Sequence, residues 1–146
     1  MPSKKTRFAV LDTSVYIENF RTGRFARQIL ESTFVPRCSA VVLHELLRGA
    51  RTPIELQFVR DLLRHCRVVT PPERHWIEAA EILTHVRARE HYDAAKIRDL
   101  AFDVLIALSA RSIGATLVTC NEADFRAIGR HLAFDAVFWH PVLSPV

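Results

Sequence analysis

Short apolar runs alternate with longer helical patterns from one end of the chain to the other. Phe8-Ala-Val-Leu11 is apolar at every position, as expected of a strand buried on both faces. Asp12-Thr13-Ser14 then supplies cap chemistry for a helix over about Val15 to Phe20, and a second helical stretch covers Arg24 to Glu31. Thr33-Phe34-Val35 reads as a second strand closed by Pro36. Ser39 can cap a helix that stops at Gly49, and Pro53 suits the first turn of another reaching about Arg64. Arg67 to Thr70 is a third strand, stopped by Pro71-Pro72. A long helix is expected from about Glu73 to Glu90, a break near His91 to Ala95, and a further helix from about Lys96 to Ile113, ended by Gly114. Ala115 to Thr119 is a fourth strand, Asn121 to Ile128 a short helix, and Ala136 to Trp139 a last strand.

Strands separated by helices imply βα units, so the pattern predicts an α/β fold with three layers, a short, mostly parallel central sheet covered by helices on both faces. No linker composition or repeat divides residues 1–146, which read as one domain with flexible residues 1–6 and a tail over 140–146. Ligands of such sheets bind beyond the carboxyl ends of the strands. Residues just after Leu11 and just after Thr119 therefore stand where chemistry is expected.

Acids occupy several of those places. Asp12 follows a buried strand directly, although it also suits a helix N-cap. Glu45, in Val41-Val-Leu-His-Glu-Leu-Leu47, falls on the edge of a helix's apolar arc, where a charge is costly unless compensated or carried to the rim. Asp103 is the sharpest case, because Leu100 to Ala110 is apolar nearly all the way round a helix. A lone carboxylate there needs a positive partner, either an internal arginine or a metal. Asp99 lies one turn earlier on the same side and reads as an outer residue or a simple surface acid. Asn121-Glu-Ala-Asp124 follows the fourth strand and resembles a capping box, yet Asn121 or Asp124 can also face Asp12 across the sheet edge. Acids converging from separate strand ends and helices suit a hard divalent cation. Magnesium takes oxygen ligands, keeps several waters and needs neither His nor Cys.

Charge adds a second theme. The chain carries 20 Lys+Arg against 16 Asp+Glu, a net +4, and only Lys4, Lys5 and Lys96 of the cations are lysines. Arginine's rigid fork matches phosphates and carboxylates, so the surplus leans toward an anionic partner such as nucleic acid. Arg21, Arg24 and Arg27 recur at three-residue spacing shortly after Asp12, and with Lys4 and Lys5 they form a candidate RNA-binding surface, or else a solvated helical face. Cys38, Cys66 and Cys120 show no paired spacing, which argues against a disulfide framework or thiolate zinc site and for a reducing compartment. With no signal or transmembrane pattern, the cytoplasm is the expected location.

These same residues carry a family resemblance. Val10 to Ile17, Glu45 in its apolar helix, Phe102 to Ala107 and Thr119 to Phe125 resemble, in order, the acidic motifs of PIN-domain nucleases, and most of all the VapC-like toxins of bacterial toxin–antitoxin pairs. The resemblance runs from Phe8 to about Trp139. It implies that Asp12, Glu45, Asp103 and Asp124 are the metal-binding, catalytic acids, with Mg2+ or Mn2+ as cofactor and no nucleotide cofactor. It also implies an RNA substrate, a cognate antitoxin and a homodimer. Many relatives carry an acid where this chain has Asn121, which offers only a neutral oxygen and argues against a second tightly held metal. On this reading water activated at the metal hydrolyses RNA, leaving a 5′ phosphate and a 3′ hydroxyl, with Thr13 or Ser14 orienting a water or phosphate beside Asp12.

A second reading is an inactive or regulatory protein of the same fold that acts by binding partners. It draws on the helix Pro53 to Arg64, whose apolar residues span roughly 200° of the circumference, about twice what one sheet contact needs. The retained acids favour the enzyme. Other classes fit less well: Ser14 stands where a haloacid-dehalogenase-type phosphatase needs an Asp, Val68 to Pro71 lacks a receiver domain's Asp, and His44-Glu-Leu-Leu-Arg48 lacks the second His of a zinc protease.

Overall fold

The computed structural model describes residues 7–140. Lys4 and Lys5, the expected flexible stretch 1–6 and the tail from 141 onward lie outside the described residues. Along the chain run β1 (Phe8–Leu11), α1 (Thr13–Thr22), α2 (Ala26–Glu31), β2 (Val35–Ser39), α3 (Ala40–Gly49), α4 (Pro53–His65), β3 (Val68–Val69), α5 (Glu73–Glu90), α6 (Ala94–Ser112), β4 (Thr116–Thr119), α7 (Glu122–Gly129) and β5 (Ala136–Phe138).

The five strands form one sheet in the order β3-β2-β1-β4-β5, and every pairing is parallel. The expected α/β architecture is therefore present, with a sheet that is wholly rather than mostly parallel. β1 lies at the centre between β2 and β4, and its Ala9, Val10 and Leu11 are buried, as its unbroken apolar run requires. The order switches direction at β1 and β4, so the carboxyl ends of these two strands open side by side. Asp12 and Asn121 sit at that opening.

Three boundaries differ from the sequence pattern. β2 does not close at Pro36 but passes through it to Ser39. The amide of Val35 bonds to Arg7 of the β1 side and that of Cys38 to Arg67 of the β3 side, so the position of Pro36 faces β3, whose pairing begins only at Cys38. The missing N–H therefore costs no ladder bond. The first helix starts at Thr13 rather than Val15, and Gly23 ends it in the left-handed conformation with φ of 69°. That turn delays α2 to Ala26. Ser39 caps α3 as expected, accepting from the amide of Val41, and Pro53 opens α4 as expected, with Thr52 before it accepting from the amide of Glu55. Each such cap contributes about 1 kcal/mol.

α6 is the central helix of the core. From Val104 to Ala110 every residue is buried, and the helix packs on α5, α3 and α7 as well as on β2 and β4. α4 is different: only Val59 is buried, while Ile54 and Leu63 remain 73% and 46% exposed, so part of its wide apolar arc is left uncovered. Beside it an apolar groove of about 390 Å³ is lined by Ile29, Leu30, Phe34, Phe58, Leu62 and Trp139 among others. Among the described residues no helix is long and apolar enough to cross a membrane, and the three cysteines are free.

Because Leu108 is fully buried in the second half of α6, Leu108→Ala should destabilise the protein by about 2–5 kcal/mol, read as a lowered urea midpoint with an unchanged denaturant slope.

Candidate active site

The tripeptide Asp12-Thr13-Ser14 ties three elements together at the carboxyl edge of the sheet. Asp12 takes the N-cap position of α1, but its carboxylate makes no cap bond. Its Oδ2 instead accepts from Ser14 Oγ at 2.7 Å and from Thr119 Oγ1 at 2.8 Å. Thr119 is the last residue of β4 and fully buried, and its hydroxyl also accepts the Asn121 amide at 3.0 Å. Ser14 Oγ accepts the Cys120 amide at 3.0 Å. Thr13 Oγ1 donates to Glu45 Oε1 at 2.9 Å and so fixes the acid of α3 against the end of β1.

Asp12 is only 4% exposed, and two hydroxyl donors compensate its burial. Glu45 and Asp103 are half-buried and less well served. Desolvation raises the Glu45 carboxyl above its ordinary range, against the Thr13 hydrogen bond, with the Asp12 charge adding to the rise. Asp103 is the extreme: burial, followed by the charges of Asp12, Glu45 and Asp124, pushes its carboxyl up to about 8. No arginine meets it; Lys96, the cation that favours its charged form, acts from a distance. The internal Arg–Asp pair that would have explained Asp103 structurally is absent among the described residues.

Asp124 lies on the first turn of α7, and its charge adds to the rise at Asp103. Both its oxygens are engaged: Lys96 Nζ donates to Oδ1 at 2.7 Å and Asn121 Nδ2 to Oδ2 at 2.9 Å. Asn121 holds the N-cap position of α7 without capping it through its side chain, so the capping-box arrangement does not form. The four acids are neighbours but not a closed ligand set. As they stand, no three His, Cys, Asp or Glu side chains among the described residues are arranged to hold a metal ion.

The supporting residues sort differently. Asp99 is exposed on α6 and takes no part in the cluster. Arg21 lines a depression of about 230 Å³ together with Glu45, Tyr16 and Phe20. Arg24, in the turn after α1, stands 4.0 Å from Glu18 of that helix, and Arg27 bonds Glu31 of α2 at 2.9 Å, so acids offset both. Sequence reasoning missed Lys96, although it lies seven residues before Asp103 and hence on the same helical face. It also missed Thr119, whose only signal is a hydroxyl closing an apolar strand. On α3, His44 packs edge-on to Phe102 and Arg48 lies over the same ring at 5.8 Å, which places a guanidinium near Glu45.

This geometry has a counterpart among known families: the PIN domain model matches residues 9–131. The chain belongs to the PIN domain family. Solved structures agree on the PIN fold. DNA-bound VapBC from Salmonella typhimurium matches with a TM-score of 0.68 at 20% identity, over 92% of this chain and 99% of that one. VapBC-1 from nontypeable Haemophilus influenzae gives 0.67 at 18%, over 90% and 98%. A toxin–antitoxin complex from Klebsiella pneumoniae gives 0.57 at 24%, over 80% and 89%. A search of curated proteins finds no match.

The PIN cluster has a pH signature. A carboxyl whose value rises from 3.8 in the open chain to about 8 in the fold takes up a proton on folding between those values. Its contribution favours the fold at low pH and is lost as pH rises through about 8. In metal-free protein, the urea midpoint should therefore decline between pH 5 and pH 9, and Asp103→Asn should flatten that decline and lie above wild type at pH 9. An unaltered pH profile in Asp103→Asn would contradict this account of the site.

Proposed function

We propose that this PIN domain is a divalent-metal-dependent endoribonuclease, the toxin of a toxin–antitoxin pair. The observation that carries the reading is Asp103, a half-buried carboxylate set among three other acids with no cation bonded to it. Such a group destabilises the metal-free fold and is a poor structural choice, since an alanine or leucine would pack in α6 without penalty. A hard cation relieves it together with Asp12 and Glu45. The donor set fits: all candidate ligands are carboxylate oxygens, which suit Mg2+ or Mn2+. When bound, the ion supplies a Lewis acid that lowers the pKa of water and offsets charge on phosphate oxygens.

The chain's own residues prepare that chemistry. Ser14 and Thr119 lock Asp12, and Thr13 locks Glu45, so two carboxylates are oriented by fixed hydroxyls rather than left to turn freely. The buried neighbours Leu11 and Val104, next in the chain to Asp12 and Asp103, and the buried Thr119 bonded to Asp12, lower the local dielectric, which strengthens any charge interaction made there. A water nucleophile leaves a 5′ phosphate and a 3′ hydroxyl. Because an acidic cleft repels RNA, binding energy must come from its rim, where Arg21 adjoins Glu45 and Arg48 adds positive charge, while Arg24 and Arg27, each facing an acid, contribute less.

The partners belong to the same proposal. A cognate antitoxin and a homodimer are favoured by the half-covered apolar face of α4 and its neighbouring groove, and by the toxin–antitoxin neighbour. The expected working place is the cytoplasm. In purified protein incubated with total RNA and Mg2+ or Mn2+, Asp12→Asn and Asp103→Asn should each reduce cleavage at least about a hundredfold, and product ends should carry 5′ phosphate. Cleavage that persists in excess EDTA, or full activity in Asp103→Asn, sinks this function.

A further inference from the structure

The four acids do not stand on an equal footing. Among the described residues, no side chain donates to Asp12 Oδ1, to Glu45 Oε2 or to either oxygen of Asp103, whereas each oxygen of Asp124 already takes a short bond. The donor on Oδ1 is Lys96, the one lysine among the described residues of a chain whose other cations there are arginines. It sits two turns before Asp103 on the same face of α6, and its ammonium lies 5.7 Å from the Tyr92 ring centre. Asp93 caps the start of α6 on the Lys96 amide at 2.8 Å, which fixes the backbone from which the side chain reaches.

We propose that Lys96 is the built-in second cation of the site: it neutralises Asp124 permanently, so the cleft takes one divalent ion, on Asp12, Glu45 and Asp103, and the ammonium meets a phosphate oxygen. A compact ammonium has three donors, and Asp124 uses one. The side chain is 36% exposed, so the ammonium is not sealed in the fold and keeps donors beyond its Asp124 bond. Asn121 completes the arrangement, because its amide donates to the other Asp124 oxygen and so fills the place a metal would claim. Asp124 is then an anchor for Lys96 rather than a ligand. Lys96 is then both the counter-ion of Asp124 and a substrate-binding residue, and arginine, whose planar fork needs a wider seat, would fill the same role less closely.

The inference rests on the nuclease reading and is separable from it by counting ions. Mn2+ bound per chain, measured by electron paramagnetic resonance on the intact protein, should be one in wild type and in Lys96→Arg, and two in Lys96→Met, where Asp124 is released. Asp124→Asn should still bind one ion, whereas Asp103→Asn should bind none. A companion measurement uses an RNA oligonucleotide in EDTA: Lys96→Met should reduce the slope of log affinity against log salt by about 0.7, the value of one phosphate contact on a single strand. Two ions in wild type, one in Lys96→Met, loss of the ion in Asp124→Asn, or an unchanged salt slope each overturn the role of Lys96 and leave the nuclease reading standing. Binding of no ion by wild type overturns both. Thermal melting of each variant establishes that it is folded, and Asp124→Asn gives the answer should Lys96→Met fail to fold.

Discussion

One carboxylate oxygen, Oδ2 of Asp12, holds the working end of this PIN domain together. It gathers the Ser14 and Thr119 hydroxyls, and through them the amides of Cys120 and Asn121. β1 and β4 are thereby joined beyond their last ladder bonds, at the edge where the parallel sheet leaves unpaired groups. Charge-assisted bonds of this kind are roughly twice as strong as neutral ones, and here they are shielded from water. The direction of α1, the seat of Glu45 through Thr13, and the start of α7 all follow from where that oxygen sits.

The arrangement has an electrostatic cost, and the chain meets it unevenly. Hydroxyls satisfy Asp12, a single hydroxyl partly satisfies Glu45, a lysine and an amide saturate Asp124, and none of the described residues satisfies Asp103. A fold built for stability alone would compensate Asp103 before Asp124, since Asp103 lies on the most buried helix. The reverse order is what a binding site for a cation requires, because a ligand must keep its lone pairs free until the ion arrives. Stability lost at the site is recovered in the core of α6, whose second half is sealed from water.

Much of this was legible in the residues. The strand–helix alternation yields the parallel sheet, Ser39 and Pro53 start their helices as their chemistry demands, and an acid inside Leu100 to Ala110 marks the site without any coordinates. Other features were hidden for identifiable reasons. Pro36 looks like a strand end because local pattern cannot show that its missing N–H faces a partner not yet begun. Asn121 and Asp124 look like a capping box because their local spacing is right, but Lys96, 28 residues from Asp124, claims the acid first. Arg21, Arg24 and Arg27 look alike along the helix, yet only Arg21 shares a depression with an acid of the cluster.

By itself, then, the sequence determined the fold class, the element order and which acids are misplaced for solvent. These depend on periodicity and on the cost of burying charge, and both are readable one segment at a time. The tertiary structure decided which acid is free and which is taken. That outcome depends on pairings such as Thr119 with Asp12, 107 positions apart, and Lys96 with Asp124. Only the order of the strands brings such partners within bonding distance.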